Sequence, residues 1–427
     1  MKRLIASFYK GPPMKYVIIG SGPAGVTAAE TLVKADPGGN VVLIGGEPHP
    51  PYSRMAIPYV LTGKIKAEGT YLRKTKGHFD NLGIDYIQGQ VVKVDPEQSV
   101  ISLADGKVVP YDKVLVATGA TPKSPPVLGL ELPGVHHCWT LEDVANIAER
   151  AQKGSYVVLM GAGFIGCIIL ESLMERGVSL TVVETEDRLI SRMMDAAGGA
   201  MLKKWVEAKG VTLRTSTQVT AISEHGSGLA VSLDKGADLK ADLVVVSVGV
   251  TPNTAFLKGS GVDVNTGIVV DDRLQSSVSG LYAAGDVAEG PGFGGGVDVH
   301  AVQPTSVDHG RIAALNMAGK DVAYQGSLMM NVLDTLGLVS ASFGHWSGED
   351  DVAVQLNTAQ NRYLKLAFEG EYLIGALSLG RTDQIGVLRG LIQSRIKLGR
   401  WKEKLKANPS LIAEAYVACT HVFSRAG

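Results

Sequence analysis

The stretches YVIIGSGPAG at residues 16–25 and YVVLMGAGFIG at residues 156–166 are built in the same way. Each is a run of aliphatic residues that ends in glycine and continues with the spacing GxGxxG. Continuous apolar runs of this length are typical of strands buried on both faces of a parallel sheet. Apolar residues then return at helical spacing, so each stretch predicts a strand, a tight turn and a helix.

The three glycines of GxGxxG have separate tasks. The first makes the turn, the second lets backbone N–H groups approach a pyrophosphate, and the third lets the helix pack on the strand. The phosphate charge then lies at the helix N-terminus, which favours anions. The residues assigned to the first turn are Gly20, Gly22, Pro23, Ala24 and Gly25, and those assigned to the second are Gly161, Gly163, Phe164, Ile165 and Gly166.

Composition bounds the class of protein. A chain of 427 residues is long enough for two or three domains. With 41 Lys and Arg against 42 Asp and Glu there is no global field to attract nucleic acid. The 3 cysteines form no CxxC pair, which favours a reducing, cytoplasmic location. The most apolar stretch, residues 155–170, is too short for a transmembrane segment and is broken by glycines.

Three further phrases accompany the first turn. They are VLVATGA at residues 114–120, GVTPN at residues 249–253 and GLYAAGD at residues 280–286. Together with the glycine motifs these residues resemble the pyridine nucleotide disulfide oxidoreductase superfamily, the flavoprotein reductases with two dinucleotide folds. The resemblance implies that the first site binds FAD.

Several FAD contacts follow from this resemblance. The turn formed by Ala117, Thr118 and Gly119 is expected to pass the cofactor, and Asp286, after Gly285, to hold the ribityl chain. A helix that begins near Thr305 is expected to point its N-terminus at the flavin pyrimidine. From the residues themselves, Glu47 follows the second strand and is placed to accept hydrogen bonds from ribose hydroxyls.

The second site is predicted to bind NAD(H). Its second strand ends in Glu184, whose carboxylate accepts from both ribose hydroxyls and repels a 2′-phosphate. Arg188 lies near enough along the chain to leave NADP(H) open as an alternative. Gly249, which ends a third aliphatic run at residues 243–249, is assigned to the same site. Two nucleotide sites in one chain imply that hydride is transferred between NAD(H) and FAD.

The predicted fold is α/β, with two Rossmann-like dinucleotide-binding folds and a C-terminal α+β domain. We assign residues 14–123 and 243–320 to the FAD fold and residues 124–242 to an NAD fold inserted into it. Residues 321–427 form the third domain. There, two apolar runs at 364–368 and 373–379 flank Glu369-Gly370-Glu371 as a predicted hairpin, and a positively charged helical stretch follows at about 383–406.

One segment narrows the function by what it lacks. In the disulfide- and peroxide-reducing branches of the superfamily a cysteine follows the first glutamate, but residues 47–63, EPHPPYSRMAIPYVLTG, contain none. No thiolate there can relay electrons, which excludes a disulfide reductase. Hydride transfer to a flavin requires no protein nucleophile, so we predict no catalytic side chain. The histidines show no metal-ligand spacing, and we predict no metal site.

The same segment resembles the rubredoxin- and ferredoxin-reductase-like members. Pro51-Tyr52-Ser53-Arg54 is similar to their phrase PYxRPPLSK, whose lysine pairs with a glutamate beside the flavin. This chain has Tyr59 and Ile168 at those two positions. Both halves of the pair are absent together, which agrees with the alignment because a single loss leaves a buried charge unpaired. Arg54 is either a ligand of the FAD diphosphate or a surface arginine.

The expected activity is an electron-transfer flavoprotein that exchanges hydride with NAD(H) and electrons with an Fe–S protein or subunit. The C-terminal domain resembles the FAD subunits of multisubunit Fe–S enzymes such as phenylglyoxylate dehydrogenase and tungsten aldehyde oxidoreductases. One alternative is a free-standing NADH:rubredoxin or ferredoxin reductase. An alternative of another class is an NADH-responsive binding protein similar to apoptosis-inducing factor.

Two segments are open to several interpretations. The glycine-rich residues 289–296, EGPGFGGG, are either a mobile cover near the flavin or a solvated flexible loop. Residues 381–406 concentrate positive charge and serve either to dock an acidic Fe–S partner, to contact an anionic membrane or as a solvated face. The basic side chains are Arg381, Arg389, Arg395, Lys397, Arg400, Lys402, Lys404 and Lys406, against Asp383 and Glu403.

Overall fold

The computed structural model describes residues 12–381 and 383–421. Its helices are α1 Pro23–Ala35, α2 Ile57–Leu61, α3 His78–Asn81, α4 Leu141–Arg150, α5 Phe164–Glu175, α6 Ala196–Ala208, α7 Gln303–Met317, α8 Ile385–Ser394, α9 Arg400–Ala407 and α10 Ile412–His421. None of the helices in these residues is long and apolar enough to span a membrane.

The strands form several separate sheets. Up to residue 137 they are β1 Lys15–Ile19, β2 Asn40–Gly45, β3 Ile84–Gln88, β4 Val91–Asp95, β5 Val100–Leu103, β6 Val108–Pro110, β7 Lys113–Val116, β8 Ala120–Pro122 and β9 Val135–His137. Up to residue 252 they are β10 Tyr156–Met160, β11 Ser179–Val183, β12 Thr212–Arg214, β13 Val219–His225, β14 Gly228–Leu233, β15 Leu239–Ala241, β16 Leu243–Val246 and β17 Val250–Pro252. The rest are β18 Ile268–Val269, β19 Leu281–Ala283, β20 Ala288–Pro291, β21 Val297–Val299, β22 Met330–Thr335, β23 Leu338–Gly344, β24 Val352–Asn357, β25 Arg362–Glu369 and β26 Tyr372–Leu379.

The first fold is built on a parallel sheet with the strand order β19-β7-β1-β2-β3. Its central strands are aliphatic because both faces are covered, and Val17, Ile18 and Leu115 are fully buried. Helices α1 and α7 pack against each other on this sheet. This arrangement places the turns after β1, β7 and β19 side by side.

The second fold repeats the first with the sheet order β12-β11-β10-β16-β9. Strand β16 belongs to it, because Val244 pairs with Val158 in parallel. The predicted boundary at residue 243 is therefore wrong. The chain rejoins the first sheet only at β19, where Leu281 pairs with Val114. An aliphatic run has the same sequence pattern in either sheet, so composition did not distinguish the two positions. The predicted pair of Rossmann-like folds, one inserted into the other, is confirmed.

Two antiparallel strands connect the folds. Strand β8 leaves the first fold, β17 returns from the second, and Thr251 pairs with Thr121. The side chain of Asn253 ties this crossing to the first sheet, because its Nδ2 donates to the carbonyl oxygen of Thr118 at 2.9 Å. The Thr118 hydroxyl donates in turn to the carbonyl oxygen of Asn253 at 3.0 Å.

The C-terminal domain has an antiparallel sheet with the order β22-β23-β26-β25-β24 and helices packed on it, which confirms the predicted α+β class. The predicted hairpin is β25 and β26. The charged helical stretch is two helices rather than one. Helix α8 ends where Arg395 adopts a left-handed conformation with φ of +47°, and α9 begins after Gly399.

The glycine-rich residues 289–296 are ordered by pairing. Strand β20 pairs with β21 through Glu289 and Val299. The Glu289 side chain is buried and accepts hydrogen bonds from the Asn265 amide and the Gly267 N–H, both at 2.9 Å. Residues 289–291 therefore belong to a strand rather than to a solvated loop, Gly292 forms a single β-bridge with Ser327, and residues 293–296 form the turn.

The C-terminal sheet also packs on the second fold. Leu338, Tyr363 and Leu377 belong to the same hydrophobic core as helix α5. Polar contacts reinforce the junction: the Tyr363 hydroxyl donates to Asp195 at 2.5 Å, and the indole N–H of Trp205 donates to the carbonyl oxygen of Leu336 at 3.2 Å. The third domain is thus packed directly on the NAD-type fold.

Candidate functional site

The predicted FAD residues meet at one edge of the first sheet. Strands β1, β7 and β19 are neighbours and parallel, so the turns at their carboxyl ends lie together. Gly20 follows β1, the Ala117–Gly119 turn follows β7, and Gly285 with Asp286 follows β19. Ligands of open α/β sheets bind at this edge.

In the first glycine turn, Gly20 and Gly25 have no space for a side chain because they pack against backbone. Gly22 has such space, on the side where a ligand would lie. Gly20 has φ of +109°, and a Cβ there would lie 2.1 Å from the carbonyl oxygen of Ala117. A Cβ at Gly25 would lie 1.9 Å from the carbonyl oxygen of Gly20. Gly22, in contrast, has extended backbone, and a Cβ there would meet no atom within 4 Å. A glycine at position 22 is therefore not required by packing within the protein, and it leaves space for a ligand to approach the backbone.

The second turn reproduces this geometry. Gly161 has φ of +97°, and its Cβ would lie 2.2 Å from the carbonyl oxygen of Ser247. A Cβ at Gly166 would lie 2.3 Å from the carbonyl oxygen of Gly161. Gly163 again faces open space. The two turns therefore have the same shape in separate sheets.

Both turns fit a dinucleotide pyrophosphate. Gly22 and Gly163 are the N-caps of α1 and α5, and neither helix start has a side-chain cap. The backbone N–H groups of the first turn, which in α1 begin at Ala24 because Pro23 has none, are thus left for an external acceptor. The predicted Phe164 and Ile165 are the first residues of α5 and are partly buried.

Asp286 lies where a ribityl ligand is expected. Ser306 Oγ donates to its Oδ1 at 3.1 Å. Burial raises the pKa of this carboxyl group, whereas Ser306 and the positive charge of Arg54 lower it. Thr305 is buried in the first turn of α7, next to Ser306. Ser306 was expected at the start of this helix together with Thr305, but its hydrogen bond to Asp286 was not predicted.

Arg54 is not a solvated surface arginine. Its guanidinium lies 5.4 Å and 5.2 Å from the ring centroids of Tyr52 and Trp139. It donates to the carbonyl oxygen of Trp139 at 2.6 Å and forms an ion pair with Glu47. The Tyr52 hydroxyl donates to Glu47 at 2.5 Å. Two predicted FAD ligands, Arg54 and Glu47, are thus brought together at one point by an aromatic pair that the sequence did not reveal.

The two folds differ at the end of their second strands. Ile19 pairs with Ile44 and Met160 pairs with Val183, so Gly45 occupies the position that Glu184 has in the second fold. Glu47 lies two residues further along. A Cβ at Gly45 would lie 2.3 Å from the Tyr86 hydroxyl oxygen, which leaves no space for a carboxylate at that position.

Glu184 is fixed against the second glycine turn. Its Oε2 accepts a hydrogen bond of 2.5 Å from the N–H of Ala162, and its Oε1 accepts one of 2.9 Å from the N–H of Glu186. Arg188, which left NADP(H) open, is engaged elsewhere. It donates to the carbonyl oxygen of Met194 at 3.1 Å and to Asp187 at 2.6 Å.

Gly249 is two residues after Ser247, whose carbonyl oxygen lies against Gly161 of the second glycine turn. It follows β16 with φ of +106°, and its carbonyl oxygen accepts from the N–H of Lys123 at 2.9 Å. Its position is the start of the strand pair that connects the folds. A role for Gly249 in holding NAD remains a prediction.

The two positions aligned with the charged pair of the reductase-like members carry no charge in this chain. Tyr59 is 52% exposed and Ile168 is partly buried. Further along the same two segments, Lys64 pairs with Glu175 at 2.8 Å, and both side chains are exposed.

The three cysteine thiols are free and buried, and Cys138 and Cys167 belong to the same hydrophobic core as Tyr52, Ile57 and Leu61. Burial raises the pKa of Cys138 and of Cys167 to about 12. These thiols stay protonated at neutral pH and are poor nucleophiles.

The basic segment is partly neutralised within the domain. Lys402 and Lys406 both pair with Asp351, at 2.5 Å and 3.0 Å. Arg381 donates to Gln355 at 2.9 Å. Arg381 and Lys402 are only partly exposed, whereas Lys406 is exposed but paired. Arg389, Arg395, Lys397, Arg400 and Lys404 are exposed.

Comparison with known proteins agrees with this geometry. The family model described as pyridine nucleotide-disulphide oxidoreductase matches residues 14–313. The chain is 30% identical over 414 residues to the NADH-dependent phenylglyoxylate dehydrogenase subunit epsilon of Aromatoleum evansii, covering 95% of this chain and 98% of that one. It is 27% identical over 384 residues to the rubredoxin-NAD(+) reductase of Ectopseudomonas oleovorans, covering 89% and 99% of the two chains.

Among solved structures, the putidaredoxin reductase in its covalent complex with putidaredoxin superposes with a TM-score of 0.89 at 24% identity, covering 96% of this chain and 100% of that one. At this identity the likeness shows the fold. The predicted cofactors, FAD and NAD, and the predicted oxidoreductase class are confirmed by the family match and the relatives. This chain belongs to the pyridine nucleotide-disulphide oxidoreductase family, in its rubredoxin- and ferredoxin-reductase-like branch.

Proposed function

We propose that this chain is the FAD subunit of a multisubunit oxidoreductase, in which it exchanges hydride with NAD(H) at α5 and electrons with an Fe–S partner subunit. The bound flavin supplies the conversion between two-electron hydride transfer and one-electron transfer. The residues proposed to hold FAD are the turns at Gly20–Gly25 and Ala117–Gly119, with Asp286, Glu47, Arg54 and Thr305. The NAD pyrophosphate is proposed to lie on the turn at Gly163, with its ribose on Glu184.

The main support for this proposal is that no redox-active thiol is available to pass electrons on from the flavin. Residues 47–63 contain no cysteine, and Cys138 and Cys167 are buried with thiol pKa values of about 12. A family member that cannot pass electrons through its own sulfur needs a partner to take or supply them. The full-length similarity to an epsilon subunit favours a partner within a complex.

The docking surface is proposed to be the exposed basic residues of the C-terminal domain, Arg389, Arg395, Lys397 and Arg400. A cleft of about 300 Å³ supports this location. Pro304 and Thr305 at the start of α7 line one side of the cleft, and Arg389 and Gln393 of α8 line the other. A partner with an acidic face, seated on α8, would thus lie beside the helix whose N-terminus is proposed to face the flavin.

A free-standing reductase of rubredoxin or ferredoxin is the second candidate. The similarity to a rubredoxin-NAD(+) reductase over 99% of that protein favours it. We also infer a cytoplasmic location, which the free thiols support because a reducing compartment keeps cysteines unpaired.

Purification of the untagged protein from its native host separates the two candidates. The proposal expects a stable complex at low salt that contains this chain, FAD and Fe–S subunits, and that reduces NAD⁺ when the substrate of the complex is supplied. Elution of this chain alone, with NADH-dependent reduction of added rubredoxin or ferredoxin, would contradict the subunit role and favour the free-standing reductase.

A further inference from the structure

Helix α7 reaches the proposed FAD site with residues from successive turns. Ser306 Oγ donates to Asp286 Oδ1 at 3.1 Å. One turn later, Gly310 packs so closely on α1 that a Cβ there would lie 2.2 Å from the carbonyl oxygen of Ala24. This face of α7 is therefore fixed against both the aspartate turn and the first glycine turn.

His309 lies on the same part of α7. The residue is 1% exposed, and its Nδ1 accepts a hydrogen bond of 3.4 Å from the N–H of Gly285. A ring nitrogen that accepts a hydrogen bond carries a lone pair, so the proton of the neutral ring is on Nε2. Tyr324 packs edge-on to the ring, with 4.7 Å between centroids. Within residues 12–381 and 383–421, Nε2 has no hydrogen-bond partner.

The surroundings keep this ring neutral. Burial lowers the pKa of His309 to about 4, and His300 acts in the same direction. His300 is itself buried, and burial lowers its pKa as well. At neutral pH Nδ1 of His309 is thus an acceptor. A protonated ring would instead present a second donor to the N–H of Gly285.

Gly285 depends on such a backbone contact. Its φ of +76° lies in the left-handed region, and a Cβ would approach Ser306 Oγ to 3.1 Å and Ala24 Cβ to 3.3 Å. A glycine has no side chain with which to fix the peptide that leads into Asp286, and its conformational freedom is large. The hydrogen bond to His309 limits that freedom from the side of α7.

We propose that His309 is a positioning residue for FAD, whose neutral imidazole holds the N–H of Gly285 and thereby directs the Asp286 carboxylate toward the ribityl chain. This inference rests on the proposed FAD site. It adds to that site a residue from outside the glycine and aspartate motifs.

The test compares His309→Asn with His309→Leu in the full chain, after removal and re-addition of FAD. The Asn side-chain oxygen can take the place of Nδ1 as an acceptor, whereas Leu cannot. We expect His309→Leu to weaken FAD binding about tenfold, which corresponds to ~1.4 kcal/mol, and His309→Asn to bind within a factor of about two of the wild type. Flavin fluorescence titration of the apoprotein measures both constants.

His136→Leu is the matched control, because it removes another histidine with an unpartnered Nε2, on β9 of the second fold. It is expected to leave FAD affinity unchanged. A ¹⁵N-imidazole NMR spectrum of the wild type does not depend on whether the variants fold. It should show an unprotonated Nδ1 for His309. This spectrum decides the matter if His309→Leu does not fold.

Equal FAD affinity in the Asn and Leu variants would overturn the proposal, as would a proton on Nδ1. A fall in thermal stability without a change in FAD affinity would reduce His309 to a packing residue. If the wild-type apoprotein itself binds no FAD, the proposed function fails instead, so the two failures are distinguishable.

Discussion

Glu184 Oε2 lies 2.5 Å from the backbone nitrogen of Ala162, in the middle of the second glycine turn. This contact fixes a carboxylate where the adenosine ribose of a dinucleotide is expected. In the first fold Gly45 occupies the equivalent position, so the acidic end of the strand is specific to the second site.

The fixed carboxylate predicts a preference for NADH over NADPH. A 2′-phosphate at Glu184 would meet like charge, and Arg188 is held by Asp187 and the carbonyl oxygen of Met194. We expect flavin reduction by NADPH to be slower than by NADH. Glu184→Ala should lower the ratio of the NADH rate to the NADPH rate by roughly tenfold, because it removes one close charge repulsion of ~1.4 kcal/mol. Stopped-flow absorbance measures the rates, and equal rates in the wild type would reject the preference.

FAD content should depend on Gly22 and Asp286. Gly22→Val places a side chain where the protein has no atom within 4 Å, so the fold should survive while the pyrophosphate approach is blocked. Asp286→Ala removes the proposed ribityl ligand. We expect both variants to be purified folded and without yellow colour, as judged by circular dichroism and by absorbance near the flavin band.

Two other glycines serve as controls for this prediction. Gly348→Val also enters open space, but on the C-terminal domain, and should keep its flavin. Gly25→Ala would bring Cβ to 1.9 Å from the carbonyl oxygen of Gly20 and should prevent folding. Normal flavin content in both Gly22→Val and Asp286→Ala would overturn the site assignment.

Electron transfer to artificial dyes should not depend on sulfur. We expect the triple variant of Cys138, Cys167 and Cys419 to serine to retain its flavin and its NADH:dye turnover within a factor of about two, because the wild-type thiols are buried and protonated. The Cys167 thiol already donates to the carbonyl oxygen of Ala162, and a serine hydroxyl can do the same. If the triple variant retains FAD but loses NADH:dye turnover, electron transfer must depend on a thiol, and the prediction is wrong.

The basic surface should control partner association rather than hydride transfer. Charge reversal of Arg395, Lys397 and Arg400 to glutamate is expected to slow association with the Fe–S partner by about tenfold or more at low salt and to reduce its salt dependence. NADH:dye activity should be unchanged, since these residues lie outside both dinucleotide folds. Surface plasmon resonance at several ionic strengths measures the effect.

Reversal of Lys74, Lys76 and Lys107 on the first fold makes the same change in charge at another exposed place and is the matched control. Equal behaviour of the two triple variants would exclude a specific docking role for the C-terminal surface.

Stability should fall on mild acidification because of His309. The pKa of its imidazole is about 4 in the folded chain and 6.5 in the reference state, so the unfolded chain takes up a proton first as the pH falls. The folded state therefore loses stability from about pH 6.5 down to about pH 4, by at most about 3 kcal/mol from this residue. Chemical denaturation at pH 7 and pH 5 should show a smaller loss in His309→Asn, and an identical loss would contradict the buried neutral ring.

The sequence predicted the parts of the site that depend on neighbours along the chain. The tasks of Gly20, Gly22 and Gly25 follow from backbone geometry within one turn: Gly20 and Gly25 pack against backbone, and Gly22 faces open space. The assignment of Glu184 likewise needed only a strand and its last residue. The sequence did not reveal the contact of Ser306 with Asp286 or that of Trp139 with Arg54, because these residues meet only after the chain has folded.

What the sequence by itself determined was the pair of dinucleotide folds, because a glycine motif between a strand and a helix is a local requirement that few other structures share. The tertiary structure alone decided which sheet receives Leu243–Val246, which basic side chains Asp351 neutralises, and that His309 holds Gly285. These are contacts between segments far apart in the chain. They are selected by packing and by the pairing of buried polar groups, which have no period or spacing that a linear pattern can show.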